Sequence, residues 1–182
     1  MKPSARKISQ FVRSFTDTTA NHFYDRRVVF SDIIQRTLEL GTRLNVTFTP
    51  TLTLELFAQP LISSGDYENF KEFVGPRTVE KRSFDAAQLT LTDTGYVLDP
   101  DRNPGTPARV FSNPDFNFRS LRGNAVVRWE YRPGSTVFLV WTQNRSSQDP
   151  VGDFQFRRDR SALFDARPDN VLLVKVNYWI GL

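Results

Sequence analysis

The chain has 182 residues, enough for one domain with a core of its own. Hydrophobic residues make up 39% of it and the mean hydropathy is −0.42; no run approaches the roughly 20 apolar residues of a spanning helix, which excludes a helical membrane protein. A net charge of +4 would suit nucleic acid or lipopolysaccharide, but the arginines are interleaved with Asp and Glu instead of forming a basic stripe, which argues against nucleic acid.

A β-barrel survives these tests, because a wall that alternates apolar and polar residues has the average hydropathy of a soluble protein. Sixteen Phe, five Tyr and three Trp favour strands and membrane interfaces. The chain has no Cys, which fits an exported barrel without disulfide bridges.

Residues 1–25 read as a polar N-terminal segment. Lys2, Arg6, Lys7 and Arg13 are followed by no apolar core, the longest apolar run there being the pair Phe11 and Val12, so no signal peptide is visible. An outer-membrane protein must be exported, so the chain is taken as the C-terminal piece of a longer one. His22, the single histidine, reads as a solvated loop residue.

Residues 26–182 form the predicted barrel portion. Residues 26–36 are β-rich through Val28, Val29 and Phe30 and extend the first strand. From residue 37 the pattern has period two: Leu38, Leu40, Thr42, Leu44, Val46 and Phe48 against Glu39, Gly41, Arg43, Asn45 and Thr47. Such a run exceeds the about 9 to 11 residues of a tilted membrane strand. Pro50 centres a turn, and the return strand sets Leu52, Leu54 and Leu56 against Glu55 and Phe57. With that centre Phe48 pairs with Leu52, Val46 with Leu54 and Leu44 with Leu56, so both apolar faces coincide.

Residues 63–117 have no sustained period and read as a long loop with one short hairpin near residues 88–98. Within it Asp99, Asp101 and Asn103 recur at alternate positions, as in calcium loops of the form D-x-[DN]-x-[DN]-G. Pro104 stands where the glycine belongs and no Glu follows at the right distance, so calcium is a weak expectation and no other cofactor is expected. Asp66, Glu68 and Glu72 supply the carboxylates for a glycosidase pair, yet nothing in their spacing sets two of them across a sugar; no catalytic residue is assigned.

Residues 119–132 alternate again, with Leu121, Val127, Trp129 and Tyr131 opposite Arg122, Arg128 and Glu130. Residues 133–135 turn the chain. The apolar run of residues 137–141 has two readings: a two-residue turn sends Phe138 and Val140 outward, a three-residue turn sends Val137, Leu139 and Trp141. Residues 146–169 form a second long connection with a short helix near residues 161–164. The last stretch sets Val174, Val176, Tyr178, Ile180 and Leu182 against Lys175, Asn177 and Trp179. Both tight turns and the C-terminus then fall on one side, where Phe48, Trp129, Tyr131, Phe138, Tyr178 and Trp179 gather like an interfacial girdle.

Five strands are counted, too few to close a membrane barrel, so residues upstream are expected to supply the rest of the wall. The expected architecture is an all-β antiparallel up-and-down meander, the C-terminal part of a transmembrane barrel. Its membrane side carries Leu38, Leu40, Leu44, Val46, Phe48, Leu52, Leu54, Leu56, Val127, Trp129, Tyr131, Val174, Val176, Tyr178, Ile180 and Leu182. Its lumen side carries Glu39, Arg43, Asn45, Glu55, Arg122, Arg128, Glu130 and Lys175.

The runs RLNVTFTPTLTLELFAQPLISSGDY, NPDFNFRSLRGNAVVRWEYRPGSTVFLVW and DNVLLVKVNYWIGL closely resemble the end of a family of large Gram-negative proteins. In that family a signal peptide and a family-9-like carbohydrate-binding module precede a domain of unknown function presumed to be an outer-membrane barrel. The likeness covers about residues 27–182, and the first 25 residues do not match. The resemblance implies an outer-membrane protein without catalytic residues, with a transport or surface-binding role linked to carbohydrate. Its expected partners are outer-membrane lipid and the barrel-assembly machinery. The rival readings are a soluble lipocalin-like or open-sheet binding protein, with the leucines inside, and an enzyme acting on glycans through its loops.

Overall fold

The computed structural model describes residues 3–181. Its main sheet is antiparallel and runs β1 (Ser4–Thr16), β2 (Arg26–Glu39), β4 (Leu52–Phe73), β9 (Phe116–Arg132), β10 (Ser135–Asp149), β11 (Asp169–Asn177), with β3 (Thr42–Thr49) and β5 (Lys81–Ser83) also pairing with β4. Neighbours in this order are neighbours in sequence apart from the inserted pieces, so the topology is the up-and-down meander that the alternation implies.

β2 and β3 behave as one long strand. Leu38 pairs with Ile62 and Thr42 with Ala58 in a single unbroken register, and the interval between them lies opposite Pro60. Proline has no N–H to donate, so the ladder loses a rung there, although Leu40 N still donates to Pro60 O at 3.1 Å.

The two tight turns share one construction. Pro50 and Thr51 join Thr49 to its partner Leu52, and Pro133 and Gly134 join Arg132 to its partner Ser135, with Gly134 at φ 75° as a Pro-Gly turn requires. In each hairpin the register then slips by one residue. The expected Phe48–Leu52 pair is therefore replaced by Thr49–Leu52, while Val46–Leu54 and Leu44–Leu56 form as expected. In the second hairpin the slip resolves the ambiguous run. A two-residue turn alone would set Phe138 opposite Trp129; with the extra residue Val137 takes that place, and Val137, Leu139 and Trp141 share a side with Trp129.

Four expectations need correction. The polar N-terminal segment contains a strand, β1, whose pairing with β2 shifts between Phe11 and Arg13; that bulge breaks the period-two pattern and hides the strand. β4 continues to Phe73 instead of ending near residue 62, because beyond the apolar band both faces are polar and no alternation marks the chain. The helix α1 (Phe156–Asp165) is longer than the expected turn at residues 161–164. β11 ends at Asn177, so Tyr178 and Ile180 lie past the strand, and Leu182 lies outside the described residues.

The long connection after β4 is folded. β6 (Leu89–Thr92) and β7 (Gly95–Leu98) are the expected hairpin, and β8 (Arg109–Phe111) adds a third strand. Its Leu98 and Phe111 pack on Val29 and Phe70 to make the main buried apolar cluster, with Tyr96 stacked on Phe111. The core of this molecule thus sits at the end away from the tight turns.

Candidate functional site

The registers of four strand pairs can be followed across the sheet row by row. One row reads Val46, Leu54, Val127, Leu139, Val174, the next Leu44, Leu56, Ala125, Trp141, Leu172, and a third, at the turn end, Leu52, Trp129, Val137, Val176. The intervening rows read Thr47, Thr53, Arg128, Phe138, Lys175 and Asn45, Glu55, Val126, Val140, Leu173. All eight residues expected on the polar side, Glu39, Arg43, Asn45, Glu55, Arg122, Arg128, Glu130 and Lys175, therefore share one face. Leu38, Leu40, Leu44, Val46, Leu52, Leu54, Leu56, Val127, Trp129, Val174 and Val176 share the other.

Two faces of a sheet differ in what covers them. The apolar face is bare toward the turns: Leu44 and Trp129 are each 50% exposed, and Val174 is 58% exposed. Contiguous exposed apolar rows of this kind mark an interaction surface. The polar face curls around a cavity of about 810 Å³, since Glu39 of β2 and Asn144 of β10 both line it from opposite sides of β4 and β9. Gln59 donates to Glu39 at 2.6 Å on the same wall, and Arg128 and Glu130 are 3.8 Å apart nearer the turns.

The polar face is not wholly polar, as the apolar run at residues 137–141 implied on either reading of its turn. Phe57, Val126, Phe138, Val140 and Leu173 lie on the polar face between the charged rows. Phe138, paired with Arg128, thus takes the inward of its two readings. The signal was present in the run of residues 137–141, which cannot send every apolar side chain one way.

At the turn end, aromatic and charged groups fasten the C-terminal residues. Arg132 donates to the Tyr178 hydroxyl at 2.8 Å, and Trp179 N donates to Ser135 Oγ at 2.9 Å. The Trp179 side chain lies on Gly134, and Trp129 meets Tyr131 edge-on at 6.0 Å.

The opposite end holds the ionic chemistry. Arg27, buried, bridges Asp17 at 2.7 Å and Glu72, which also takes Arg82 at 2.7 Å. Arg119, 1% exposed, donates to Asn117 at 2.9 Å and Asp149 at 2.6 Å beneath Asp159 of α1. A buried guanidinium surrounded by carboxylates and amides is satisfied and orders the strands it joins. Sequence alone did not single out either arginine, because one charged residue among many carries no mark of burial.

The three loop carboxylates separate. Asp66 and Glu68 lie on the face that continues the apolar rows, Glu68 against Lys7, whereas the bulge at Asn69 turns Glu72 to the other face between its two arginines. Asp66 lies in the polar part of β4 above the apolar band. Burial, and then the nearby Asp115, Glu68 and Asp153, push its carboxyl above the ordinary range. Asp99, Asp101 and Asn103 each accept a backbone N–H of their own turn, from Arg102 at 2.9 Å, Asn103 at 3.3 Å and Gly105 at 3.0 Å. These are side-chain-stabilised turns. Among the described residues no three His, Cys, Asp or Glu side chains converge as metal ligands. His22 is exposed in a short 3-10 turn.

Fold and surface together define an all-β protein built on an open, two-faced antiparallel sheet. The chain belongs to the family described as Domain of unknown function (DUF5916), whose model it matches over residues 8–182. The match begins well before residue 27 and includes most of β1. No curated protein and no solved structure matches the chain.

Proposed function

We propose that the chain forms part of the wall of an outer-membrane β-barrel and is not an enzyme. The observation that carries this reading is the direction in which the sheet curls. Its bare leucine, valine and tryptophan rows lie on the face away from the cavity, while Glu39, Arg43, Glu55, Arg122, Arg128 and Glu130 lie on the cavity face. A lipocalin-like soluble protein requires the reverse, with leucines lining the enclosed space.

The apolar rows span residues 38–48 on β2 and β3 and residues 52–62 on β4, about the length of a tilted membrane strand. In that setting the apolar face meets lipid and the polar face an aqueous or partly filled interior. β1 and β11 each pair on one side only. An edge in hydrocarbon leaves backbone N–H and C=O groups unpaired at several kcal/mol each, so further strands complete the wall. Assembly then calls on the barrel-assembly machinery, and the role is transport or surface binding, linked to carbohydrate through the family resemblance.

The test is depth-resolved quenching. The chain with Trp141 and Trp179 changed to Phe, leaving Trp129, is folded into vesicles of lipids brominated along their tails. Quenching of Trp129 by the bromines, stronger than any quenching by iodide from the water phase, is expected. Iodide quenching without bromine quenching overturns the membrane reading.

A further inference from the structure

We infer that the exposed side of α1 docks on the phosphate headgroups of anionic lipid at the rim of the apolar band. Such docking rests on the barrel-wall role and gives the chain a contact with headgroups beside its contact with tails.

Going away from the turns, the apolar face ends beneath this helix. The row of Leu56, Ala125, Trp141 and Leu172 is followed by Ala58, Gly123, Gln143 and Asn170, then by Pro60, Leu121 and Arg145, then by Ile62, Arg119 and Ser147. Trp141 marks the boundary. Its indole N–H donates to Asn170 Oδ1 at 3.1 Å, and Gln143 donates to the same oxygen at 3.0 Å, so the ring belongs to the apolar rows and its polar edge to the amides above. Tryptophan takes this arrangement where hydrocarbon meets water.

The helix lies just past that boundary, on the same face. Asp159 is 3.7 Å from Arg119, and Leu163 is buried. Arg145 donates to Phe164 O at 2.7 Å and holds its guanidinium over the Phe164 ring. A cation at the last carbonyls suits the helix C-terminus and fastens that end to the rim.

What α1 turns outward decides the partner. Phe156, Arg160 and Phe164 recur every four residues and form one stripe, with Arg157 about 60° around the helix from Arg160. The two phenylalanines are 49% and 57% exposed. Among the described residues Arg157 and Arg160 have no carboxylate within 4.0 Å; Arg160 lies over the Phe156 ring instead. The nearby acids are engaged elsewhere. Asp153 and Asp159 take Arg158, and Asp149 takes Arg119. Asp165 accepts from Ser161 at 3.3 Å, about 140° around the helix from Arg160. Free guanidiniums set among exposed phenyl rings fit a layer that is phosphate on one side and hydrocarbon on the other. A free phosphate would engage the arginines and leave the rings bare.

The test places a reporter in the stripe: Phe164→Trp, in a chain with Trp129, Trp141 and Trp179 changed to Phe. It is folded into vesicles of phosphatidylcholine with or without phosphatidylglycerol. Bromine carried just below the headgroup should quench the reporter more than bromine at the tail end, and acrylamide should quench it less when phosphatidylglycerol is present. Arg157→Gln and Arg160→Gln should each lower the ratio of bromine to acrylamide quenching by about fivefold in phosphatidylglycerol vesicles, the scale of one basic residue at an anionic surface. Neither should change it in phosphatidylcholine alone. Arg43→Gln, on the cavity face, should leave it unchanged in both, and circular dichroism shows that each variant keeps the sheet. Equal acrylamide quenching in the two mixtures, as from a stripe that faces water or another protein, overturns the inference; so does an unchanged ratio in R157Q and R160Q. If bromine still quenches Trp129 in the chain that keeps it as the single tryptophan, such a result leaves the barrel wall standing. If it does not, both fall.

Discussion

Residue by residue, the polar end of the sheet is where single side chains matter most. Gly65 is a glycine because a Cβ there would collide with the Phe116 ring and approach Ile33, so three strands close up over a position without a side chain. Its neighbour Asp66 has its carboxyl shifted up, first by burial and then by Asp115, Glu68 and Asp153, with Arg36 opposing them. A folded-state value above the unfolded one means that the folded chain holds the proton more tightly. That contribution is favourable in acid and is lost as pH rises through the raised value. Asp66→Asn should therefore raise the urea midpoint at neutral pH and have little effect below the ordinary carboxylate range. An equal effect at both pH values, measured by fluorescence, would show that the carboxyl is unperturbed. Asp17 behaves oppositely. Burial disfavours its charge, but hydrogen bonds from Thr19 and Arg27 outweigh it and lower its carboxyl, so its support is present above the ordinary range and fades in strong acid.

At the scale of elements, the hairpins are the unit of organisation. Each turn is a two-residue loop followed by a one-residue slip, and the slip decides which side chains face which way. Parity makes the two faces testable by matched substitutions on one strand. Leu56→Arg places a charge among Leu44, Ala125 and Trp141, whereas Thr53→Arg places it beside Arg128 on the other face. Spontaneous insertion into lipid vesicles, read by protease protection, should be lost or strongly reduced in L56R, in line with about 2–4 kcal/mol for a cation at the bilayer midplane. T53R should insert nearly as well as the parent. If both insert equally, lipid does not touch the leucine face.

Across the whole molecule, order is graded from the middle strands to the edges. β4 is paired on both sides, with β2 and β3 along one edge and β9 along the other, while every described position of β11 is exposed and it pairs with β10 alone. The small sheet of β6, β7 and β8 braces only the end away from the turns, through Leu98 and Phe111. Amide hydrogen exchange in micelles should accordingly be slowest in β4 and β9 and fastest in β11, since an edge strand opens without disturbing its neighbours. Under the proposed barrel-wall role, strands that complete the wall should bring β11 to the protection of β9. Uniform protection across the isolated sheet would mean that β11 already has a second partner.

Sequence alone determined where apolar and polar faces alternate. A period of two over residues 37–48, 52–60 and 121–131 is a local property of the backbone pleat, and any extended chain with those residues must present them so. The turns at Pro50 and at Pro133 and Gly134, the meander and the hairpin of β6 and β7 were legible for the same reason. What only the tertiary structure decided is non-local. β1 and the upper halves of β4 and β9 are strands because their neighbours supply the other half of each ladder, with no face pattern of their own to announce them. Arg27 and Arg119 are buried because distant carboxylates arrive beside them. The side of the run at residues 137–141 hung on a single bulged residue, and the cavity exists because β2 and β10, a hundred positions apart in the chain, curl toward each other across two strands.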